Sequence, residues 1–168
     1  MEKEFVSQSV FKMKESLERV EKCLGEMSEE EVWKKPNSQL NSAGNLVIHL
    51  CGNITQYIIS SIGNEPDNRE RDGEFSISGG FTKAELISKL RNTVEHACKI
   101  IAAQEEPSLL KLRSVQGYEL TGIGIIIHVV EHFSYHTGQI AFWVKLLKEK
   151  DLGFYAGKDL NQKNKLDL

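Results

Sequence analysis

Long uninterrupted hydrophobic runs are scarce in this chain of 168 residues. The two most apolar stretches, 42–64 and 120–130, contain Gly, Asn, Gln or His, whereas a membrane-spanning helix needs about twenty predominantly apolar residues. The N-terminal segment has no continuous apolar region and no small-residue cleavage site, so it does not read as a secretory signal. We therefore expect a cytoplasmic protein without a membrane partner.

Cysteines are few and widely spaced, at Cys23, Cys51 and Cys98. An odd number of cysteines without a CxxC pair argues against a disulfide framework and against a cysteine-based zinc site. We expect three reduced, buried thiols, which agrees with a cytoplasmic location.

An excess of basic residues is also absent, because 21 Lys and Arg oppose 24 Asp and Glu and give a net charge of −3. With both signs interspersed, the chain lacks the clustered basic stripe of a nucleic-acid-binding protein. A composition of 40% hydrophobic and 27% charged residues is ordinary for a globular protein. The length predicts a single domain over residues 1–168, with a polar C-terminal tail over 155–168.

Four segments carry the patterns of long helices. The first runs over residues 5–27 with apolar positions three and four apart. The second begins at Asn41 or Ser42, runs to about residue 62, and is apolar almost all round. The third follows a capping box formed by Thr82 and Glu85 and runs to about residue 104. The fourth runs from near Thr121 to about residue 150.

The remaining segments are predicted as connections. Ser28 and Glu31 form a capping box for a short helical turn that ends before Pro36. Residues 63–80, rich in Gly, Pro, Asn and Asp, predict a long loop. Residues 108–120 have no convincing helical stripe and predict an extended connection. Without a clear pair of strands, the pattern predicts an all-α four-helix bundle with long crossover loops.

Histidines recur at every fourth position of the fourth predicted helix, at His128, His132 and His136. Because a helix turns about 100° per residue, residues four apart are offset by only about 40°. His132 and His136 therefore project from one face, with the spacing found in helical zinc sites. Two imidazoles do not complete a metal site, so a further protein ligand has to come from another element.

His49 is the candidate for that ligand, as the histidine of the second predicted helix. It stands in an apolar helix, with Asn45 and Asn53 one turn to either side. A buried imidazole needs partners for both ring nitrogens, and a metal ion together with a carbonyl or carboxylate would supply them. The alternative is a hydrogen-bonded core histidine. His96, beside charged residues, is expected at the surface.

Two further stretches read GNITQYIISSIGNEPDNRERDGEF and HVVEHFSYHTGQIAFWVKLL, and in the second a histidine pair is followed by Gly and Gln. They resemble the DinB-like superfamily of damage-inducible and thiol-transferase metalloproteins. The resemblance covers about residues 5–150 and is greatest for an uncharacterised bacterial branch of single-domain proteins. It implies a four-helix bundle in which the second helix supplies one histidine, and the fourth supplies two, to a divalent metal ion. At the matching positions these ligands are His49, His132 and His136.

The resemblance also implies a metal-dependent enzyme, because characterised relatives include transferases that use low-molecular-weight thiols such as bacillithiol or mycothiol. We expect an S-transferase with zinc or nickel at the site, iron and manganese being the next candidates. His128 and Asn53 are expected to support the ligands. For His128 the alternatives are a proton shuttle and a competing ligand. The alternatives are a metal-dependent hydrolase and a non-catalytic, metal-stabilised stress or interaction protein.

Other residues have two interpretations each. Glu131 is either a base or a surface charge beside His132. Arg69 and Arg71 either recognise an acidic thiol or form a solvated pair in the long loop. Tyr57 either lines the site or packs in the core. No catalytic or cofactor-binding residue is assigned.

A homodimer is expected from the apolar residues on other sides of the fourth helix. Phe133, Phe142 and Trp143 suggest more burial than one bundle face requires, although packing in the core explains them equally well.

Overall fold

Helices surround one hydrophobic core in the computed structural model, which describes residues 1–164. In chain order the helices are α1 (Glu2–Glu26), α2 (Glu29–Trp33), α3 (Ala43–Ile54), α4 (Arg71–Ser76), α5 (Lys83–Ala102), α6 (Glu106–Leu110) and α7 (Gly122–Lys148). A π-helical segment, Thr55–Ile62, continues α3, and the strands β1 (Leu112–Val115) and β2 (Tyr118–Thr121) precede α7. The predicted all-α bundle is confirmed, with a small hairpin added to it.

The four long helices form a closed ring of neighbours. Helix α1 packs against α5 and α7, and α3 packs against the same two helices. The apolar positions that predicted these helices are buried, including Met13 and Val20 of α1 and Leu86 and Leu90 of α5. Burying one such side chain stabilises the fold by about 1.5–3 kcal/mol. This ring places α3 directly beside α7, which carry the candidate ligands.

Helix starts follow the predicted caps. Ser28 and Thr82 each accept a hydrogen bond from the backbone N–H three residues later, and the glutamate at that position returns one. Ser42 starts α3 in the same way, with Asn45 in the place of the glutamate. Thr121 caps α7 by accepting from the N–H of Gly124. Because such caps satisfy backbone donors that the helix leaves unpaired, they set the boundaries locally.

Helix α3 winds more widely after Ile54. Over Thr55–Ile62 the turns are π-helical, and the N–H of Gly63 donates to the carbonyl of Ile58 at 2.9 Å. This segment buries Tyr57 against α7 and the hairpin. The predicted second helix therefore runs its full length to Ile62, but it changes its winding on the way.

The connection over 108–120 folds on itself instead of crossing the bundle as one extended strand. Strands β1 and β2 are antiparallel, with Leu112 opposite Thr121 and Val115 opposite Tyr118. Gln116 and Gly117 join them with φ angles of 51° and 81°, the combination that two-residue hairpins of type I′ require. The prediction that this part contains no pair of strands was wrong.

The predicted long loop also contains regular structure. Residues 71–76 form α4, which contacts α3. Gly44 permits another close contact with α3, since a Cβ atom there would lie 2.9 Å from the ring of Trp33. The indole of Trp33 in turn donates to the carbonyl of Phe81 at 3.0 Å. Through these contacts, α2 and the end of the connection between α3 and α5 are both held near the start of α3.

Residues 155–164 of the predicted tail are exposed, and its last four residues lie outside the described part of the chain. Just before the tail, Leu152 is buried in the core and Phe154 packs against it. Among the described residues, no helix combines the length and apolarity needed to cross a membrane.

Candidate metal centre

Three imidazoles from two helices converge at one point between α3 and α7. His49, His132 and His136 each offer one nitrogen, and these nitrogens all lie within 4.8 Å of one another. The closest approach is 2.9 Å, between Nε2 of His49 and Nε2 of His132. The structure therefore brings together the three residues that the sequence singled out as ligands.

The outward nitrogen of His49 is fixed by a carboxylate. Its Nδ1 lies 2.8 Å from Oε2 of Glu74 on α4. A terminal nitrogen of Arg69 is also near Nδ1, at 3.2 Å, but it lies closer to the same Glu74 oxygen, at 2.9 Å. Because a carboxylate oxygen can only accept, Nδ1–H donates to Glu74, and the Nε2 lone pair of His49 faces the other imidazoles.

Arg69 and Glu74 form a buried pair behind His49. Nε of Arg69 donates to Oε1 of Glu74 at 2.7 Å, and the side chains are 3% and 7% exposed. Burial acts to raise the pKa of Glu74, but hydrogen bonds from His49 and Arg69 and the charge of Arg69 outweigh it. The pKa of the carboxyl therefore lies below its usual value, and Glu74 is ionised at neutral pH.

Two features of α3 create room and anchorage for this pair. A Cβ atom at Gly52 would collide with the Glu74 carboxylate, and it would lie 3.0 Å from Nε of Arg69. Asn45 donates to the carbonyls of Glu74 and Ile77 at 3.0 and 2.7 Å, which holds α4 against α3. A glycine and an asparagine in an apolar helix thus serve the site rather than the core.

The second outward nitrogen is fixed within α7. Nδ1 of His136 lies 2.7 Å from Oε1 of Gln139, one turn further along. Because an amide oxygen accepts, Nδ1 carries the hydrogen and the Nε2 lone pair is free for another partner. Burial lowers the pKa of His136, although the hydrogen bond with Gln139 acts in the opposite direction.

His132 is held neutral by its surroundings. Burial, together with the neighbouring His136, His49, His128 and Arg69, lowers the pKa of His132 to about 3. An uncharged imidazole is the form that binds a metal ion.

His128 lies beside the three converging imidazoles without joining them. Its ring stacks between Tyr57, at 4.2 Å, and His132, at 5.5 Å between ring centroids. Its Nε2 is 3.4 Å from Nδ2 of Asn53, and burial lowers its pKa. Within residues 1–164, the buried Oδ1 of Asn53 has no hydrogen-bond partner. His128 thus contacts His132 directly, and Asn53 lies next to His128; their supporting role for the ligands stays a prediction.

The donor set fits a divalent cation. Nδ1–H of His49 and of His136 each donate to an oxygen, which leaves both Nε2 lone pairs free to bind a metal ion. Such a hydrogen bond behind a metal-binding histidine fixes its tautomer and raises its basicity. Three imidazole ligands suit zinc, nickel, iron and copper. They leave coordination positions open for water or a substrate, as catalytic sites require.

Residues 1–156 match a family described as proteins of unknown function, DUF1572. The chain belongs to this family. None of the curated proteins compared with it matches the chain.

Solved structures share the fold at low sequence identity. A conserved protein from Enterococcus faecalis superposes with a TM-score of 0.71 at 16% identity, over 86% of this chain and 97% of that one. A DinB-like protein from Bacillus subtilis gives 0.68 at 18% identity, over 88% and 96%. A DinB-like protein from Bacillus cereus gives 0.64 at 13% identity, over 80% and 87%. The chain has the DinB-like fold that the histidine motifs implied.

Other sequence predictions have mixed outcomes. Arg69 is buried against Glu74, so its interpretation as part of a solvated loop pair was wrong. Arg71 is exposed and lies over the ring of Phe75, 5.1 Å from its centroid. Glu131 is exposed on α7, and His96 is exposed with Glu65 2.9 Å away, as the surface interpretations expected.

The aromatic residues that had two interpretations, in α7 and in the π-helical segment, lie in different environments. Phe133 belongs to the core at 1% exposure, so it is unavailable for a dimer seam, whereas Phe142 is 70% exposed. Tyr57 is buried and donates to Gln116 of the hairpin at 2.8 Å. The homodimer itself stays a prediction.

Sequence reasoning missed Glu74, the carboxylate that orients His49. The one local indication was Gly52, a glycine in an apolar helix, which suggests close approach by a neighbour. It does not identify that neighbour. Gln139 was visible as part of the histidine-pair motif, but its bond to His136 was not predicted.

Proposed function

We propose that His49, His132 and His136 bind one divalent metal ion and that the protein is a metal-dependent S-transferase for a low-molecular-weight thiol. The observation that carries this proposal is the convergence of the three imidazole nitrogens within 4.8 Å. Nε2 of His49 and Nε2 of His132 lie 2.9 Å apart, a distance at which their lone pairs repel each other unless a proton or a cation lies between them.

Zinc or nickel is the proposed ion, with iron as the alternative, because imidazole ligands suit these metals. Manganese, the other candidate from the sequence, prefers oxygen ligands and fits this donor set less well. Once bound, the ion supplies positive charge that lowers the pKa of a thiol or of water beside it, which makes a nucleophile available at neutral pH.

The residues of the chain hold and orient this centre. Glu74 accepts the His49 Nδ1–H, and Gln139 accepts the Nδ1–H of His136. Arg69 keeps Glu74 ionised and in place. His128 and Tyr57 stack along one side of His132, so the rings have little freedom to turn away. Such rigidity lowers the cost of ordering the ligands when a metal ion binds.

The nucleophilic sulfur has to come from a separate molecule. Burial raises the pKa of Cys23, Cys51 and Cys98 to about 11 in each case. Thiols are nucleophilic as thiolates, so these buried groups are inert at neutral pH. A small external thiol is therefore the sulfur donor that this proposal requires.

The first test is the metal content of protein purified without a chelator. We expect about one divalent ion per chain, lost in His49→Ala and retained in His96→Ala, a control whose imidazole is exposed and lies away from the cluster. Full metal content in His49→Ala would show that the ligand assignment is wrong.

The second test is catalysis by the metal-loaded protein. Thiol consumption is measured with a panel of low-molecular-weight thiols and a reactive halide, and ester hydrolysis is measured in parallel. Metal-dependent thiol consumption supports the transferase, while hydrolysis alone identifies a hydrolase. A metal-loaded protein without either activity is instead a metal-stabilised, non-catalytic bundle.

A further inference from the structure

A cavity of about 720 Å³ opens beside His136. It lies between the segment that leads into α3 and the outer face of α7. His136 and its hydrogen-bond partner Gln139 are both part of the wall. A molecule in this cavity would therefore touch one of the three converging imidazoles directly.

The wall is mostly apolar. Apolar side chains dominate it, among them Leu40, Leu46, Phe142 and Leu146. Within the described part of the chain, the wall has no Asp, Glu, Lys or Arg, and its polar groups are His136, the indole of Trp143, neutral amides and a tyrosine. A charged ligand would lose hydration here without gaining a counter-ion, which is unfavourable.

The size and exposure of the wall fit a small molecule. Ligand cavities span about 300–1,000 Å³ and are mostly apolar with a few polar groups. Phe142 and Leu146 are 70% and 61% exposed, so a ligand that covered them would remove apolar surface from water.

We propose that this cavity binds the electrophilic substrate of the S-transferase and that this substrate is an uncharged, largely apolar molecule. Its role as a substrate site rests on the proposed function, whereas binding of an apolar ligand does not. Bacillithiol carries charged groups and mycothiol carries many hydroxyl groups. Because a mostly apolar wall offers few partners to either, these thiols approach the imidazoles from outside the cavity.

The transfer step is a displacement. The thiol sulfur forms a bond to the electrophilic carbon, and the bond from that carbon to its leaving group breaks. The leaving group departs with the bonding electron pair, and the thiol proton passes to solvent. No oxidant or reductant takes part.

Substitution of Gly138 is a direct way to reduce the volume of the cavity. It lines the wall, and a Cβ atom there has no heavy atom within 4 Å. The variant Gly138→Leu adds apolar volume at the wall, and it replaces a helical glycine by a better helix former. Urea unfolding of the variant checks that reduced ligand binding does not result from lost stability. Gly25→Leu is the matched control, because Gly25 is also an exposed helical glycine with open space at Cβ.

The experiment measures binding of two fluorescent probes of similar size, neutral N-phenyl-1-naphthylamine and anionic 1-anilinonaphthalene-8-sulfonate. We expect the neutral probe to bind at least about tenfold more tightly than the anionic one. Gly138→Leu should weaken the neutral probe by about tenfold or more, while Gly25→Leu should leave its affinity within about twofold of wild type. Both variants should keep the wild-type metal content.

Three results would overturn the proposal. Equal affinity for both probes would show that the cavity does not select uncharged ligands. Unchanged binding in Gly138→Leu would place the probe elsewhere. A wild-type dimer by light scattering that Phe142→Lys converts into a monomer with gained probe binding would make this face an interface between two copies.

Failure of the proposed function gives a different result. If the wild-type protein binds no metal, but Gly138→Leu still abolishes binding of the neutral probe, the transferase is disproved and the apolar-ligand site stands. If metal and thiol transfer are confirmed but neither probe binds, the transferase stands and the cavity assignment falls.

Discussion

Glu74 Oε2 lies 2.8 Å from Nδ1 of His49, although 25 residues separate the two along the chain. The contact exists because the short helix α4 folds back onto α3, held there by Asn45. A carboxylate behind a histidine fixes which ring nitrogen carries hydrogen and which is left to bind a metal ion. The orientation of His49 thus depends on a segment that provides no ligand itself.

Replacing Glu74 by Gln should weaken metal binding without removing a ligand. The amide keeps the shape of the side chain but loses the charge, so Nε2 of His49 becomes a weaker ligand for the metal ion. We therefore expect metal affinity to fall about 10- to 100-fold. The variant also leaves Arg69 as a buried charge without its partner, which costs about 3 kcal/mol of unfolding free energy. Competition with a chelator measures affinity, and urea unfolding measures stability.

The double variant Arg69→Met, Glu74→Gln separates these two effects. Removing the stranded charge should recover much of the lost stability, because the methionine side chain suits a buried position. Metal affinity should stay low, since His49 still lacks its carboxylate. Recovery of affinity in the double variant would show that Glu74 acts only through stability.

Gly52→Ala should disturb the same arrangement from the opposite side. The added methyl group would occupy the space of the Glu74 carboxylate, so that the carboxylate and Arg69 have to move. We expect metal affinity to fall within the same range of about 10- to 100-fold.

Gly25→Ala is the control for that change, because nothing lies within 4 Å of its added Cβ atom. It should leave affinity unchanged and raise stability by less than the gain of about 1 kcal/mol seen in a helix interior, because Gly25 lies in the last turn of α1. If Gly52→Ala binds the metal ion as tightly as Gly25→Ala does, the close packing of the Glu74 carboxylate against Gly52 is contradicted.

The long helices were predictable because their signals are local. Thr82 marks the start of α5 through the glutamate three residues later, as Ser28 does for the short helix α2, and the periodicity of apolar residues defines each buried face. The pairing of His132 with His136 is local in the same sense, as one turn of α7 fixes it. His49 could be added because its helix is otherwise apolar, which makes an imidazole there conspicuous.

The supporting contacts were not predictable, because they join segments that are distant in sequence. Arg69 and Glu74 lie in a stretch whose Gly, Pro, Asn and Asp content predicts a loop, and their burial results from the docking of α4 on α3. The π-helical winding near Tyr57 has no recognised sequence signal. The hairpin had one, a Gln-Gly turn between two short strands, but alternation over four residues is weak.

A bound metal ion should stabilise the protein against heat. A ligand present at 100 times its Kd raises the free energy of unfolding by about 2.7 kcal/mol. For a chain of this size, this amounts to an increase in Tm of roughly 5–10 °C. Differential scanning calorimetry with added zinc or nickel, followed by excess chelator, measures the shift.

Ligand variants decide whether that increase comes from the three imidazoles. His132→Ala should abolish the metal-dependent shift in Tm, because only two ligands remain. His96→Ala should preserve it, as its imidazole is exposed beside Glu65. A shift that survives in His132→Ala would assign the stabilising ion to another site.

The three cysteines should resist thiol reagents in the native protein. Burial raises the pKa of Cys23 and Cys98 to about 11, so at pH 8 about one thiol in a thousand is ionised. Ellman's reagent should react slowly with the native chain and with three thiols after denaturation in guanidinium. In Ser7→Cys, whose new thiol is on the exposed side of α1, one equivalent should react at once.

At alkaline pH, the free energy of unfolding should depend on the ionisation of these three thiols. Their pKa values are raised by folding, so the unfolded chain ionises first, from about pH 8.5. The free energy of unfolding should then fall as the pH rises toward 11, because the unfolded state has released protons that the folded state still holds. Replacing Cys98 by Ala should make this fall shallower in urea titrations. Rapid reaction of a native thiol at pH 8 would contradict both expectations, and it would provide an internal sulfur nucleophile that the proposed transfer reaction does without.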